Sequence, residues 1–295
     1  MMHLDCRVEE TLGEALRVFQ PAIWQRDCQA VLRIEQAPDI EATLDLTPGA
    51  MGLADLAWAK RMRQFGPDAA DTIAARIKGD WLSAYPKDRS GIQERLIGAL
   101  RWCDDRGVAA LLSCWESLDD YGRSLAAMVL GLLGAHQSAD RLWACYQTTR
   151  SAAKDLFVGP LWGLIDLGDN RAADALVELL DDQREYYEKY GFVSRVGDHR
   201  VVLPLVFELL RGVEEIKPDV MWALTGVAHR LGRDVLHQQM TGDSDAQESH
   251  SGNVELLIDR LFQYSQGDVE RHFETFYTKD AGSLLALAKG QSLIA

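Results

Sequence analysis

The stretch Leu164–Leu180, LIDLGDNRAADALVELL, decides the fold class. It predicts the end of one helix, a tight turn at Gly168-Asp169-Asn170, and a second helix that begins near Arg171. The pattern returns in Val196–Leu210, VGDHRVVLPLVFELL, where Gly-Asp, one variable residue and Arg precede an apolar run that ends in Glu-Leu-Leu. A helical hairpin that repeats cannot bury its apolar face alone, so the repetition predicts stacked copies of one unit.

Turn signals recur through the middle of the chain at nearly even spacing. They stand at Gly66, Asp104–Gly107, Gly134, Gly168, Gly197, Gly232 and Gly267. Their mean interval is about 33 residues, a period typical of helical repeats. Glycine enters the left-handed region at little cost, and an Asp directly after it can cap the next helix. The spacing therefore predicts an all-α protein, an α-α superhelix of about seven helical hairpins.

The two ends of the chain depart from this rhythm. Residues 1–49 are expected to form N-terminal capping helices, at Arg7–Gln20 and Ala22–Ile34, followed by a connection over Ala37–Gly49. The repeat array is expected over residues 50–280, with a mobile loop at 241–253 because that segment has little apolar surface to bury. Residues 281–295 are expected to form a C-terminal cap or tail.

The charge balance limits the classes of partner. Lys and Arg number 31 and Asp and Glu number 45, which gives a net charge of −14. This acidic total disfavours nucleic acid and anionic membranes and favours a protein partner with basic patches. The N-terminus has no secretory pattern, and the cysteines, Cys6, Cys28, Cys103, Cys114 and Cys145, form no CxxC pair. We therefore expect a cytoplasmic protein whose cysteines are small buried apolar residues.

A family resemblance follows from these motifs. The pattern LxxLGD followed by RAxxALxELL resembles the HEAT-like repeats of phycobilisome bilin lyases and bacterial scaffold proteins. The best match is Leu161–Leu180, while Leu125–Tyr146 and Val196–Leu210 match less completely. Tetratricopeptide repeats have a similar period, but their own pattern is not in register here. The resemblance implies a HEAT-like α-solenoid, and it is specific for the fold and unspecific for function.

Few residues suggest chemistry. Asp169 with Arg171, and Asp198 with Arg200, are interpreted as helix caps and bridges to a neighbouring unit, since exposed ion pairs of this kind are common. Cys114-Trp115 and Cys145-Tyr146 stand 31 residues apart, and we interpret them as core packing in successive units rather than as a ligand site. The sequence has no pattern typical of a catalytic triad, a bound metal, a nucleotide site or another cofactor. Aromatic and acidic residues remain as candidates for protein binding: Glu185, Tyr186, Tyr187, Tyr190, Trp115 and Tyr146.

Three functions are compatible with these features of the sequence. The first is a non-enzymatic scaffold or adaptor that grips a protein on the concave face of the solenoid, which is lined by the second helix of each unit. The second follows from the resemblance: a bilin or chromophore lyase-like subunit, in which Cys114 and Cys145 would be the reactive candidates. The third is a HEAT-like DNA glycosylase, which needs a basic channel that the charge of −14 disfavours. The partner's identity and the oligomeric state stay open.

Overall fold

The computed structural model describes residues 6–49, 52–79, 89–151, 156–181, 188–211, 216–242 and 251–277. The described residues form helices joined by short turns and contain no strand, which confirms the all-α class. They fall into two compact units, one within Met1–Leu167 and the other within Gly168–Tyr277. The predicted domain boundaries at 49 and 280 both adjoin residues outside this description and stay predictions.

Unit 1 consists of ten helices among its described residues. They are α1 (Cys6–Phe19), α2 (Pro21–Glu35), α3 (Ile40–Leu44), α4 (Leu53–Phe65), α5 (Ala70–Lys78), α6 (Arg89–Ala99), α7 (Asp104–Cys114), α8 (Asp120–Leu132), α9 (Ala139–Thr149) and α10 (Val158–Asp166). Helices α2, α4, α6, α8 and α10 contact one another in that order, and α3, α5 and α7 do the same. Eight of these helices thus pack on helices two along the chain, a pattern compatible with a helical repeat, while α1 packs on α2 and α4, and α9 packs on α8 and α10.

The first two helices pack against α4. Leu12 and Leu16 of α1 are buried together with Leu53 and Leu56 of α4. Apolar side chains of α2 pack against the same cluster, among them Trp24. The apolar faces of both helices are therefore turned towards α4, and their role as an N-terminal cap stays a prediction.

The predicted connection over Ala37–Gly49 contains a short helix, α3, that the sequence analysis did not anticipate. The side chain of Asp39 caps it by accepting a hydrogen bond from Ala42 N at 2.8 Å. Trp58 of α4 donates its indole N–H to the Thr43 carbonyl oxygen at 3.0 Å, and both residues are buried. A single turn with one cap is stable here because tertiary contacts hold it, which periodicity alone cannot show.

Unit 2 consists of seven helices among its described residues. They are α11 (Arg171–Asp181), α12 (Glu188–Val196), α13 (Val202–Arg211), α14 (Lys217–Leu231), α15 (Arg233–Thr241), α16 (Ser251–Leu261) and α17 (Gln266–Tyr277). Helices α11, α13 and α15 contact one another in order, while α14 contacts α12, α16 and α17. The loop predicted at 241–253 is shorter than expected, because residues 251–253 belong to α16, and residues 243–250 lie outside the described ranges.

The predicted turn glycines divide into two groups. Gly66, Gly134, Gly168 and Gly232 have φ values of +54°, +66°, +67° and +80°, and Asp104 occupies the same region at +49°. Gly197 is required for a different reason, since a Cβ there would lie 2.8 Å from the Val193 carbonyl oxygen. The expectation of left-handed turn glycines was therefore wrong for Gly197, where close packing is the constraint, and for Gly267, which is the second residue of α17.

The predicted Asp caps are confirmed at two of three turns. Asp169 Oδ1 accepts from Arg171 N at 2.9 Å, and Asp198 Oδ1 accepts from Arg200 N at 2.9 Å. Asp268 differs: it is the third residue of α17, and its carboxylate accepts from Ser265 N at 2.8 Å while Asp268 N donates to Ser265 Oγ. Ser265 is therefore the cap, and Asp268 is its reciprocal partner in a capping box.

Candidate functional site

The outer face of α13 carries a stripe of large apolar side chains. Leu203, Phe207 and Leu210 are 44 %, 53 % and 72 % exposed. Their spacings of four and three residues place them on one side of the helix. We call these three residues the α13 stripe. Val202 and Leu205, on the opposite side, are fully buried.

Several contacts fix the position of α13. Asp198 caps the 3₁₀ turn that leads into the helix, and Arg200 in that turn donates to Asp198 Oδ2 at 2.6 Å and to Asp174 Oδ1 of α11 at 2.7 Å. Near the other end, Glu208 Oε1 accepts a hydrogen bond from the Tyr190 hydroxyl at 3.1 Å. The stripe is therefore presented by a helix anchored at both ends, and the predicted bridge from Arg200 to a neighbouring helix is confirmed.

These ion pairs also set the charge state of the turn carboxylates. Hydrogen bonds from Arg171 hold the pKa of Asp169 below its usual value, and hydrogen bonds from Arg200 do the same for Asp198. Both carboxylates therefore remain charged at neutral pH and keep their capping and pairing roles. Nothing in their geometry places a nucleophile or a proton acceptor next to an open site, so the structural interpretation of these pairs is favoured.

A second cation supports α12 from α14. Arg230 donates to the carbonyl oxygens of Val193, Ser194 and Gly197, at 2.9 Å for Val193 and 2.7 Å for Gly197. Burial lowers the pKa of its guanidinium to about 10, which still leaves it charged at neutral pH. A cation at the carboxyl end of α12 adds a second hydrogen bond to the Val193 carbonyl oxygen, which also accepts from Gly197 N at 2.9 Å, and it complements the helix dipole.

Three of the aromatic residues predicted to bind a partner lie in the core rather than on the α13 stripe. Tyr190, Trp115 and Tyr146 are all buried. Arg141 lies over the Trp115 ring at 5.7 Å. Tyr146 stacks on Trp143 at 5.3 Å and meets the edge of Phe157 at 6.4 Å. Buried rings with such neighbours are core residues. We therefore do not include them in the proposed binding surface.

The remaining predicted contact residues, Glu185, Tyr186 and Tyr187, lie outside the described residues. Their role stays a prediction. The α13 stripe was missed because the apolar run in VVLPLVFELL was interpreted as core. Its signal was available, however: α13 is apolar on nearly every side, while a helix in a two-layer stack buries only part of its circumference.

The cysteine thiols are poorly suited to covalent chemistry. Cys103, Cys114 and Cys145 are buried, and burial raises the pKa of each to about 11. The Cys103 thiol donates to the Gly66 carbonyl oxygen at 3.1 Å, and the Cys114 thiol to that of Leu111 at 3.4 Å. Since the thiolate is the nucleophile, these three groups are unreactive at neutral pH.

We expect alkylation of the native protein to follow this burial. Iodoacetamide at pH 7.5 should modify the half-buried Cys28 at least about tenfold faster than Cys114 or Cys145, because their thiolate is scarce and inaccessible. Peptide mass spectrometry over a time course measures the three rates. Full denaturation should make them similar. Equal rates in the native protein would show that Cys114 and Cys145 are open to reagents.

The described part of the chain offers neither a metal-binding cluster nor a membrane-spanning helix. No group of three or more His, Cys, Asp and Glu side chains there is arranged to hold a metal ion. Within the same residues, no helix has the length and apolar character that a bilayer crossing requires. The α13 stripe is therefore the surface with the clearest functional signal among those described.

No protein-family model matches this chain, and no curated protein matches it either.

Proposed function

We propose that this protein is a non-enzymatic scaffold or adaptor built as a HEAT-like α-solenoid. Helical hairpins whose helices pack on the helix two along are the building units of such arrays. The ion pair from Arg200 to Asp174 of the preceding second helix fits this assignment, as do the pairs from Arg106 to Asp68 and Asp71. These pairs join residues about one repeat apart.

The α13 stripe is the observation that carries the binding role. In a solenoid of helical hairpins, the second helices line the face that binds partners, and α13 is the second helix of its hairpin. Large apolar side chains that remain exposed on an anchored helix mark an interaction surface more often than isolated exposed residues do. A protein that covers Leu203, Phe207 and Leu210 gains hydrophobic free energy and does not need to reorganise the helix.

The two alternatives receive less support. A bilin lyase-like role would use Cys114 and Cys145, whose burial and raised pKa values disfavour attack on a chromophore. A DNA glycosylase would bind phosphates, which the acidic composition repels.

A matched pair of variants tests the scaffold. We expect Leu210→Ser to abolish capture of the native partner from a lysate of the source cells, since Leu210 is 72 % exposed and is the most exposed side chain of the stripe. Leu256→Ser is the control, because Leu256 of α16 is 69 % exposed and outside the stripe. Quantitative mass spectrometry of the eluates compares the two with the parent. Equal capture by all three proteins would contradict the proposal.

A further inference from the structure

We infer that the α13 stripe binds an amphipathic helix that carries apolar residues at three-four spacing and Lys or Arg beside them. This inference rests on the proposed scaffold function and adds the chemistry of the partner. The shape of the stripe and the charge of the surrounding unit support it.

The shape of the stripe favours a helical partner. The stripe is a ridge along two turns of α13, formed by Leu203, Phe207 and Leu210. At a rise of 1.5 Å per residue, this ridge is about 10 Å long. A second helix with the same three-four spacing can lay its apolar side chains beside such a ridge. An extended peptide binds instead by adding to a sheet edge, and the described residues contain no strand that could offer one.

The ring of Phe207 already contacts a cation of this chain. The Arg211 guanidinium lies over that ring, 5.5 Å from its centre. Because like charges repel, we expect the Lys or Arg side chains of a partner helix beside the acidic residues of the unit rather than over this ring.

The charge of unit 2 indicates which charge its partner is expected to carry. Between residues 168 and 277, acidic residues outnumber basic ones by about two to one. Glu178 is exposed on α11, which packs directly against α13, while Asp174 on the same helix is paired with Arg200. The negative field attracts a basic helix and increases its association rate. It also repels a second copy of the same acidic chain, so a foreign basic helix is the preferred occupant.

Synthetic peptides provide a direct test with the full-length protein. One probe is a fluorescein-labelled 18-residue helix with Leu at three-four spacing and Lys on both flanks; its counterpart replaces every Lys by Glu. Anisotropy titrations should give saturable binding of the Lys peptide and at least about tenfold weaker binding of the Glu peptide. Affinity for the Lys peptide should fall as salt is added, because screening weakens the attraction.

Variants assign the binding to the stripe. Phe207→Ser should weaken the binding of the Lys peptide at least about tenfold, the effect expected when one central apolar contact is removed. Leu256→Ser should leave the Kd within about twofold, because that residue lies outside the stripe. Circular dichroism melting curves of both variants must match the parent, and Leu203→Ser serves as a second stripe variant if Phe207→Ser melts early.

The outcomes separate the two levels of the proposal. Equal binding of both peptides, or equal losses in Phe207→Ser and Leu256→Ser, would overturn the basic-helix inference. A dimer in sedimentation that dissociates in Phe207→Ser would overturn it too, by making a second copy the occupant. If the native partner depends on Leu210 while neither peptide binds, the helix inference fails and the scaffold stands. If capture of the native partner does not depend on Leu210 and neither peptide binds, the scaffold proposal fails as well.

Discussion

Replacing Gly163 by valine should lower the free energy of unfolding by about 3 kcal/mol, at the upper end of the usual cost of overpacking. Helices α8 and α10 pack with their backbones close together. A Cβ at residue 163 would overlap the Ala127 carbonyl oxygen and would lie 2.7 Å from Leu142 Cδ2. The carbonyl belongs to the hydrogen-bonded backbone of α8, so the helix as a whole must move. Urea unfolding monitored by circular dichroism measures the change.

A glycine in open space is the control for this variant. Gly98 lies in α6, and a Cβ there would meet no atom within 4 Å. Gly98→Ala should raise the free energy of unfolding by about 0.5–1 kcal/mol, because alanine loses less backbone entropy in a helix. If Gly163→Val unfolds within 1 kcal/mol of the parent, the close approach of α8 and α10 is not a constraint on stability.

Asp55→Ala should cost about 3–5 kcal/mol, because it leaves a buried guanidinium without its counterion. Arg95 of α6 donates to both carboxylate oxygens of Asp55 of α4, at 3.0 and 3.1 Å, and both residues are buried. Its remaining nitrogen donates to the Gly91 carbonyl oxygen at 2.8 Å. Thermal and urea unfolding both report the loss. The double variant Asp55→Leu with Arg95→Met should recover much of it, since no charge is then buried.

An exposed pair provides the comparison. Arg106 contacts Asp68 at 3.1 Å and Asp71 at 2.9 Å, and all three side chains are largely open to solvent. Asp71→Ala should therefore cost less than about 1 kcal/mol. Similar losses in Asp55→Ala and Asp71→Ala would show that burial does not separate the two ion pairs.

The candidate site shows where sequence reasoning reached its limit. Tyr190, Trp115 and Tyr146 were selected because aromatic residues are common at interfaces, yet all three are buried. Residue type alone cannot separate an aromatic side chain on the surface from one in the core. The opposite error concerns α13, whose apolar run was interpreted as core while three of its large side chains are exposed.

The Gly168 turn illustrates a local feature that was predictable. The turn has the predicted local form: α10 ends at Asp166, Gly168 is left-handed at +67°, and α11 begins at Arg171. Open space surrounds the position where a Cβ would stand. Substitution of Gly168 would therefore strain its own backbone rather than break a helix interface, because the constraint is a dihedral angle.

Local residue patterns are sufficient to specify the helical class, most of the turns and the two Gly-Asp caps at 169 and 198. Each of these depends on residues within a few positions of one another, so local propensity is sufficient. The packing of helices against one another settles which apolar residues are covered, that α3 forms, and that Arg95 meets Asp55 forty residues away. Those features depend on which helix packs against which, and no local pattern carries that information.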